Sequence, residues 1–577
     1  MSIDCRTEVG LITRQMPSEV SLEKSVAYMV SNCDEDFSVG DYLVIESNGT
    51  NYLARIAASR IEDILSVAKA PVLSLEHELG MDVSYIPKLV ALELIAECSN
   101  DKCAPPSRPP KIRSVVRVPR EGEVAGMLML PRDGITIGNL SLPNGKAVEG
   151  NYAKLPLSAL NHHVLIVGTT GSGKTTLMKN MALELINNYP KATVISLDTI
   201  GHYHHLAMSG IDVRAIVPVT NSMIRRYLRG DAFRDRRGMI RRFTRGLVRD
   251  YLNRVFKSHG IRLSVSRIKV RGKTIGRTEV PLFIEVTSSG NAGRMTLIPW
   301  ALGSRAILPR VNAVTGMLTE QASMFYSRIL EQLKAKARPY SVNGIYAYLT
   351  SPSETQQSGR ALLNYEDLAR RMGIHPSTME NIVRTILAIK ESGIVDVKLG
   401  RGSLELGVSE PNYARILSPG YVTADLSRAS GVGQRMVVYR ILSKVYNFMG
   451  PEHLGDRDRM AVIMVDEAHL FFPQAKSEEE KGVLEHHITR LTRLGRSRGI
   501  AVIFATHMPE DLNDAVLQLT NTKIVLRSEE SVLERLGVKA EERRFLVTAE
   551  AGVAHVRSFA YRYPVYIKFS PNAYHVG

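Results

Sequence analysis

Residues 168–175 read Gly-Thr-Thr-Gly-Ser-Gly-Lys-Thr, the spacing of a phosphate-binding loop. Gly168, Gly171 and Gly173 let the backbone wrap an anion with its N–H groups turned inward, and Ser172 lies between the last two. Lys174 is expected to reach the β- and γ-phosphates, and the Thr175 hydroxyl to ligate Mg²⁺, with Thr176 completing the nucleotide-binding set. A helix starting near Lys174 would present its positive end to the same phosphates. The apolar run Leu165-Ile-Val before Gly168 reads as the buried strand that must feed such a loop.

An acidic pair supplies the other half of the chemistry. Ala461-Val-Ile-Met-Val reads as a second buried strand ending in Asp466 and Glu467. Asp466 is expected to hold Mg²⁺ through water, and Glu467 to polarise the attacking water as base or positioning group. The pattern implies ATP hydrolysis with ATP and Mg²⁺ as ligands.

Several further stretches resemble the FtsK and HerA pumping ATPases. They are Arg490-Leu-Thr-Arg493-Leu-Gly-Arg496-Ser-Arg498-Gly499, followed by a strand ending Ala-Thr506-His507-Met-Pro509. Leu157-Ser-Ala-Leu-Asn-His162-His163, Asp198-Thr-Ile-Gly-His-Tyr203 and Ser418-Pro-Gly-Tyr-Val-Thr-Ala-Asp425 each resemble a HerA segment. The resemblance implies that Arg496 is an arginine finger delivered to a neighbouring subunit, with Arg493 and Arg498 as fallbacks. It implies that His507 stands where the family has a glutamine sensor. It also implies that His162 stands where members often carry a nucleotide-contacting arginine. A homo-hexamer acting on double-stranded DNA, a NurA-type nuclease partner and work beside Mre11–Rad50 in break repair are implied in the same way. Two alternatives stand beside this reading: a DNA-pumping ATPase of a mobile element or virus, and a nucleotide-dependent DNA-binding switch. A hydrolytic Glu467 speaks against a pure switch.

The charge is unevenly spread. The chain of 577 residues has a formal net charge of +16. Segment 221–277 holds 18 lysines and arginines against 3 aspartates and glutamates, nearly the whole excess. Such a field favours a polyanion partner. Arg225, Arg226, Arg229, Arg234, Arg236, Arg237, Arg241, Arg242 and Arg245 are the candidate DNA contacts.

The elements that must position these groups follow from periodicity. Short alternating runs at Glu8–Thr13, Ser25–Val30, Asp41–Glu46, Tyr52–Ala57 and Lys88–Ala96 predict a small antiparallel barrel over residues 1–145. The stretch from Ala104 to Pro110 reads as a stiff linker. From His162 onward, strands alternating with helices predict an α/β, RecA-like motor with a parallel sheet over 146–303 and 410–577. That motor carries the basic insertion 221–300, and residues 304–409 form a helical insertion. Tyr365 to Ile394 has the look of a helix-turn-helix, with Arg384 and Lys390 on its second helix. The four cysteines, Cys5, Cys33, Cys98 and Cys103, read as ordinary reduced thiols, with the Cys98–Cys103 spacing weighed as a zinc pair. No apolar run of about 18 residues marks a membrane helix, and the N-terminus lacks a signal-peptide core, so the expected compartment is the cytoplasm.

Overall fold

The computed structural model describes residues 7–14, 16–31, 37–61, 88–100, 102–229, 235–272, 279–280, 282–288, 292–357, 360–399, 405–450, 459–474, 488–493 and 495–575. Arg234, Cys5, Cys33 and most of the helix expected after Lys481 lie outside these residues.

The alternating runs at the start of the chain become strands with one buried face. Six of them close on themselves: Ser25–Ser31 pairs with Glu8–Ile12 on one side and with Lys88–Ser99 on the other. Val115–Arg117, Tyr42–Ser47 and Thr50–Ile61 complete the circuit. The inward side chains, among them Val9, Met29, Ile45, Ile56 and Leu92, form a single apolar cluster. Closure leaves the core no open edge.

The proline-rich stretch from Ala104 to Pro110 is a loop inside this unit rather than a linker between domains. Glu97 holds it by accepting from Ser107 N and Oγ, both at 2.8 Å, and from Arg108 Nε at 3.2 Å. The cysteine expectation is corrected here. Cys98 and Cys103 face each other across two antiparallel strands with Cα atoms 4.1 Å apart, and they form a disulfide.

The chain divides into two compact units, 1–156 with 524–570, and 157–523 with the residues from 571 onward. The assignment of 146–156 and 524–570 thus differs from the motor boundaries expected from sequence. Ala147–Leu155 and Val565–Lys568 both pair antiparallel with Ile135–Ser141, and Val553–Ser558 pairs with Val565–Lys568.

The second unit is the motor. Its strands are β1 (Val164–Val167), β2 (Thr193–Asp198), β3 (Val213–Pro218), β4 (Val265–Gly272), β5 (Leu282–Ser288), β6 (Met295–Trp300), β7 (Gly420–Asp425), β8 (Ala461–Val465) and β9 (Ile500–Thr506). Their order is β1-β9-β8-β2-β7-β3-β6-β5-β4. The seven from β1 to β6 are parallel, and β5 and β4 extend the sheet antiparallel. Every residue of β1, β2, β8 and β9 is buried, as a parallel strand covered on both faces requires. Each large apolar side chain buried there contributes about 1.5–3 kcal/mol.

Helix α1 (Lys174–Asn188) follows β1. Helix α2 (Arg236–Val255) follows β3 and starts on an Asp235 cap that accepts from Gly238 N at 2.7 Å. The insertion contains α3 (Asn364–Arg371) and α4 (Pro376–Glu391), joined through Gly373 at φ 65°. Its basic residues are occupied within the chain: Arg384 pairs with Glu380 at 3.4 Å, and Lys390 lies over the Tyr346 ring. A short hairpin, Pro352–Gln357 with Arg360–Leu363, lies within the insertion that sequence reads as helical.

Candidate active site

Strand β1 leads into Gly168, and the loop turns through Gly171 at φ 78° and Gly173 at φ 110° into α1. Side chains rarely adopt these angles, so the glycines shape the cradle. Ser172 Oγ donates to Thr169 O at 2.7 Å and stiffens the turn. Lys174 is buried, and its Nζ donates to Gly168 O at 2.7 Å and Thr169 O at 3.1 Å. These contacts hold the ammonium in the loop, where phosphate oxygens would replace the carbonyls. Burial lowers its pKa, and the nearby Glu467 and Asp466 carboxylates oppose that shift. Thr175 and Thr176 are the next residues of α1, and Thr176 Oγ1 is 3.4 Å from His575 Nε2.

The acidic strand ends at the same edge. Asp466 is buried, and its pKa is pushed up to about 6, first by burial and then by the Glu467 charge. Tyr203 Oη donates to its Oδ2 at 3.1 Å. Tyr203 is itself placed by Asp198 at the end of β2. That carboxylate accepts from the backbone N–H groups of Ile200, Gly201, His202 and Tyr203 at 2.7–3.3 Å. Lys179, buried on α1 near Asp198 and Asp466, is pulled down to about 8 by desolvation. The oxygen-only pair of Asp466 and the Thr175 hydroxyl suits Mg²⁺, which prefers oxygen ligands and keeps several waters. A bound Mg²⁺ would supply the charge that the buried Asp466 lacks.

Glu467 adopts φ 52° and ψ 52°, an uncommon conformation for a residue with a side chain. His507, just past the end of β9, meets it: Nδ1 and Oε2 are 2.8 Å apart. His469, two residues beyond Glu467, brings its Nδ1 to 3.5 Å from the same oxygen and to 3.1 Å from Thr506 Oγ1. Sequence reasoning missed His469. Its spacing from Glu467, one short turn, was the available signal.

The remaining site residues lie at the opposite edge of the sheet. His162 precedes β1 and approaches Asn521 Nδ2 at 3.2 Å. Arg496 lies in the short turn before β9, half-buried, with its Nε buried and without a hydrogen-bond partner among the described residues. β9 has seven residues, so about 20 Å separates Arg496 from His507. Neither Arg496 nor His162 reaches the phosphate loop of its own chain. The fallbacks divide: Arg498 donates to Tyr446 O at 3.0 Å and covers the Tyr446 ring, while Arg493 is exposed.

Buried His163 locks this edge. Val502 N–H donates to Nδ1 at 3.1 Å, which leaves Nε2–H to donate to Thr492 O at 2.9 Å. Burial pushes its pKa down to about 4.

On α2, Met239, Phe243, Leu247, Tyr251 and Val255 recur every four residues and are buried. The opposite face exposes Arg236, Arg237, Arg241, Arg242, Arg245 and Arg249. Arg237, Arg241, Arg245 and Arg249 make one i, i+4 row, with about 6 Å of rise per step. Arg249 was missed as a candidate and is legible only as the continuation of that row. Arg254, by contrast, pairs with Asp425 and is structural.

A phosphate loop and an acid pair at the carboxyl edge of a parallel sheet in this order define a RecA-like P-loop ATPase. A family model described as "Helicase HerA, central domain" matches residues 135–445, more than half of the chain. One described as "Helicase HerA-like C-terminal" matches residues 435–536. The chain belongs to the HerA family.

The chain is similar to the "DNA double-strand break repair helicase HerA" of Pyrococcus furiosus, at 33% identity over 66 residues, 11% of each protein. The match therefore spans about a tenth of that relative's length. Among solved structures, VirB4 of Thermoanaerobacter pseudethanolicus aligns over 76% of this chain and 97% of its own, at 12% identity and TM-score 0.41. The bacterial conjugative coupling protein TrwB with sulphate aligns over 78% of this chain and 92% of its own, at 11% identity and TM-score 0.42. Likenesses this distant carry no argument about function. Among the described residues, no helix is long and apolar enough to cross a membrane.

Proposed function

We propose that this chain is an ATP-driven translocase of duplex DNA, working as a homo-hexameric ring and helicase in DNA end resection with a NurA-type nuclease. The observation that carries the DNA part is the arginine row on α2. It sits on the same unit as the hydrolytic site, so a movement powered by ATP can be passed to it. The duplex carries one negative charge per about 1.7 Å of axis, and a regular cationic row suits that backbone rather than any base sequence. The ring part is supported by the distance between Arg496 and its own phosphate loop. A guanidinium that serves the γ-phosphate from there must serve a neighbour's. The repair setting rests on the name of the Pyrococcus furiosus relative, a break repair helicase, and the nuclease partner on family membership.

The reading is tested by measuring duplex-stimulated ATP hydrolysis and duplex binding across a salt series. Arg241→Glu with Arg242→Glu is expected to remove both the stimulation and most of the salt dependence. Duplex binding that survives the double reversal rejects α2 as the DNA surface.

A further inference from the structure

Glu467, His469 and His507 do more than line the hydrolytic edge. One ligand atom from each lies within 4.8 Å of the other two. Both histidines turn Nδ1 toward the same oxygen, Glu467 Oε2, at 2.8 and 3.5 Å. Their rings stand edge-on at 90° with centroids 5.0 Å apart, so the nitrogens converge instead of stacking past each other. Each donor is on a fixed support. Glu467 is held by the buried end of β8, His469 by the turn Ala468–Leu470, and His507 by the end of β9. The three side chains are partly exposed, at 23%, 12% and 31%, so an ion can enter from solvent.

We propose that these three residues bind a divalent transition ion of the zinc, cobalt and nickel class, and that its binding stops hydrolysis by taking the Glu467 carboxylate as a ligand. Two imidazoles and one carboxylate with a position left for water are the donor set of tetrahedral zinc. The set is wrong for Mg²⁺, which takes oxygen. Bonds of about 2.0–2.2 Å place tetrahedral ligand atoms a little over 3 Å apart. The cluster therefore has to contract at its widest edge, and the His507 ring, the most accessible of the three, is the part with room to move. The loop from Gly168 to Thr175 contributes no ligand, so nucleotide binding continues while the water-activating carboxylate is withdrawn. The site shares no ligand with the Mg²⁺ pair, Asp466 and Thr175. The inhibition rests on the ATPase reading, but the metal site does not.

The test uses untagged, metal-stripped, full-length protein in excess Mg²⁺ without nucleotide. Co²⁺ titration should produce the visible bands of tetrahedral cobalt, and equilibrium dialysis should give one Zn²⁺ per chain. His469→Ala and His507→Ala, each checked for native melting, should abolish the bands. They should also weaken Zn²⁺ by at least the roughly 10- to 100-fold that loss of an outer-shell partner costs. Zn²⁺ should then suppress ATP turnover in the unaltered protein, reversibly on chelation, without displacing a fluorescent ATP analogue. Binding well below one ion per chain, or binding that both histidine variants keep, overturns the site. Stoichiometric binding that leaves turnover unchanged overturns the inhibition. A protein that shows the cobalt bands yet never hydrolyses ATP refutes the ATPase reading and leaves the metal site standing.

Discussion

At its carboxyl edge the motor sheet delivers Asp466, Glu467 and His507 from the ends of β8 and β9, and Lys174 from the start of α1 beyond the β1 loop. At its amino edge the same region carries His162, His163 and Arg496. The carboxyl edge concentrates groups whose charge is unsettled. Asp466 is buried and raised, Lys174 is buried and lowered, and Glu467 sits in a rare backbone conformation. The amino edge is settled by hydrogen bonds to backbone, with His163 bridging Thr492 and Val502 and Arg498 seated on Tyr446. Reactivity needs groups left incompletely satisfied by their own chain, because the ligand must complete them. Presentation needs the reverse: a rigid base from which one side chain projects. Arg496, whose buried Nε has no hydrogen-bond partner among the described residues, is the exception on the rigid edge and so the candidate for delivery elsewhere.

Four experiments break or sharpen this contrast. Glu467→Gln should lower turnover by about 10²–10⁴-fold while ATP binding is retained. Unchanged turnover would remove the hydrolytic role from the carboxyl edge. Arg496→Ala should lower turnover by about 10³-fold or more, with little effect on melting. Mixing that variant with Lys174→Ala, itself inactive, should recover part of the activity, since some interfaces then pair an intact Lys174 with an intact Arg496. No recovery in mixed assemblies would rule out delivery between subunits.

The third experiment addresses the lock itself. His163 is neutral when folded, with a value of about 4 against the ordinary 6.5. The unfolded chain therefore binds the extra proton between those values, and stability rises with pH across that window. The buried neutral form contributes its full share above 6.5, and about 3 kcal/mol is lost as pH falls toward 4. Urea denaturation across this range should show a shallower pH slope for His163→Asn than for the unaltered protein. Equal slopes would mean that His163 does not hold the edge. The smallest effect is expected at Tyr203→Phe. Losing one hydrogen bond to Asp466 is worth about 1 kcal/mol, a severalfold rise in the Mg²⁺ needed for half-maximal turnover. A melting temperature that falls while Mg²⁺ dependence stays fixed would make Tyr203 merely structural.

Much of the carboxyl edge was legible because its signals are local. Phosphate loops and buried strands are written in adjacent residues, and Gly168 through Thr175 and Ala461 through Glu467 fall where they were expected. The barrel strands were legible for the same reason, since alternation of period two survives without knowledge of partners. His469 was overlooked because its meaning depends on His507, on a different strand. The sides of the sheet were not legible either: the resemblance makes His162 a nucleotide contact, yet the full length of β1 separates it from the phosphate loop of its own chain. Cys98 and Cys103 looked like unpaired thiols until antiparallel pairing set them opposite each other.

The sequence by itself determined that this chain binds nucleotide phosphate, that it holds an acid pair suited to hydrolysis, and that its positive charge is gathered in one segment. These follow from residue type and short spacing, which the backbone cannot rearrange. The tertiary structure decided which of those groups meet. It set His507 and His469 on Glu467, put Tyr203 on Asp466, aligned four arginines along one face of α2, and carried Arg496 to the far edge of the sheet. Such meetings depend on strand order and helix phase, and these are fixed only when the buried faces find each other.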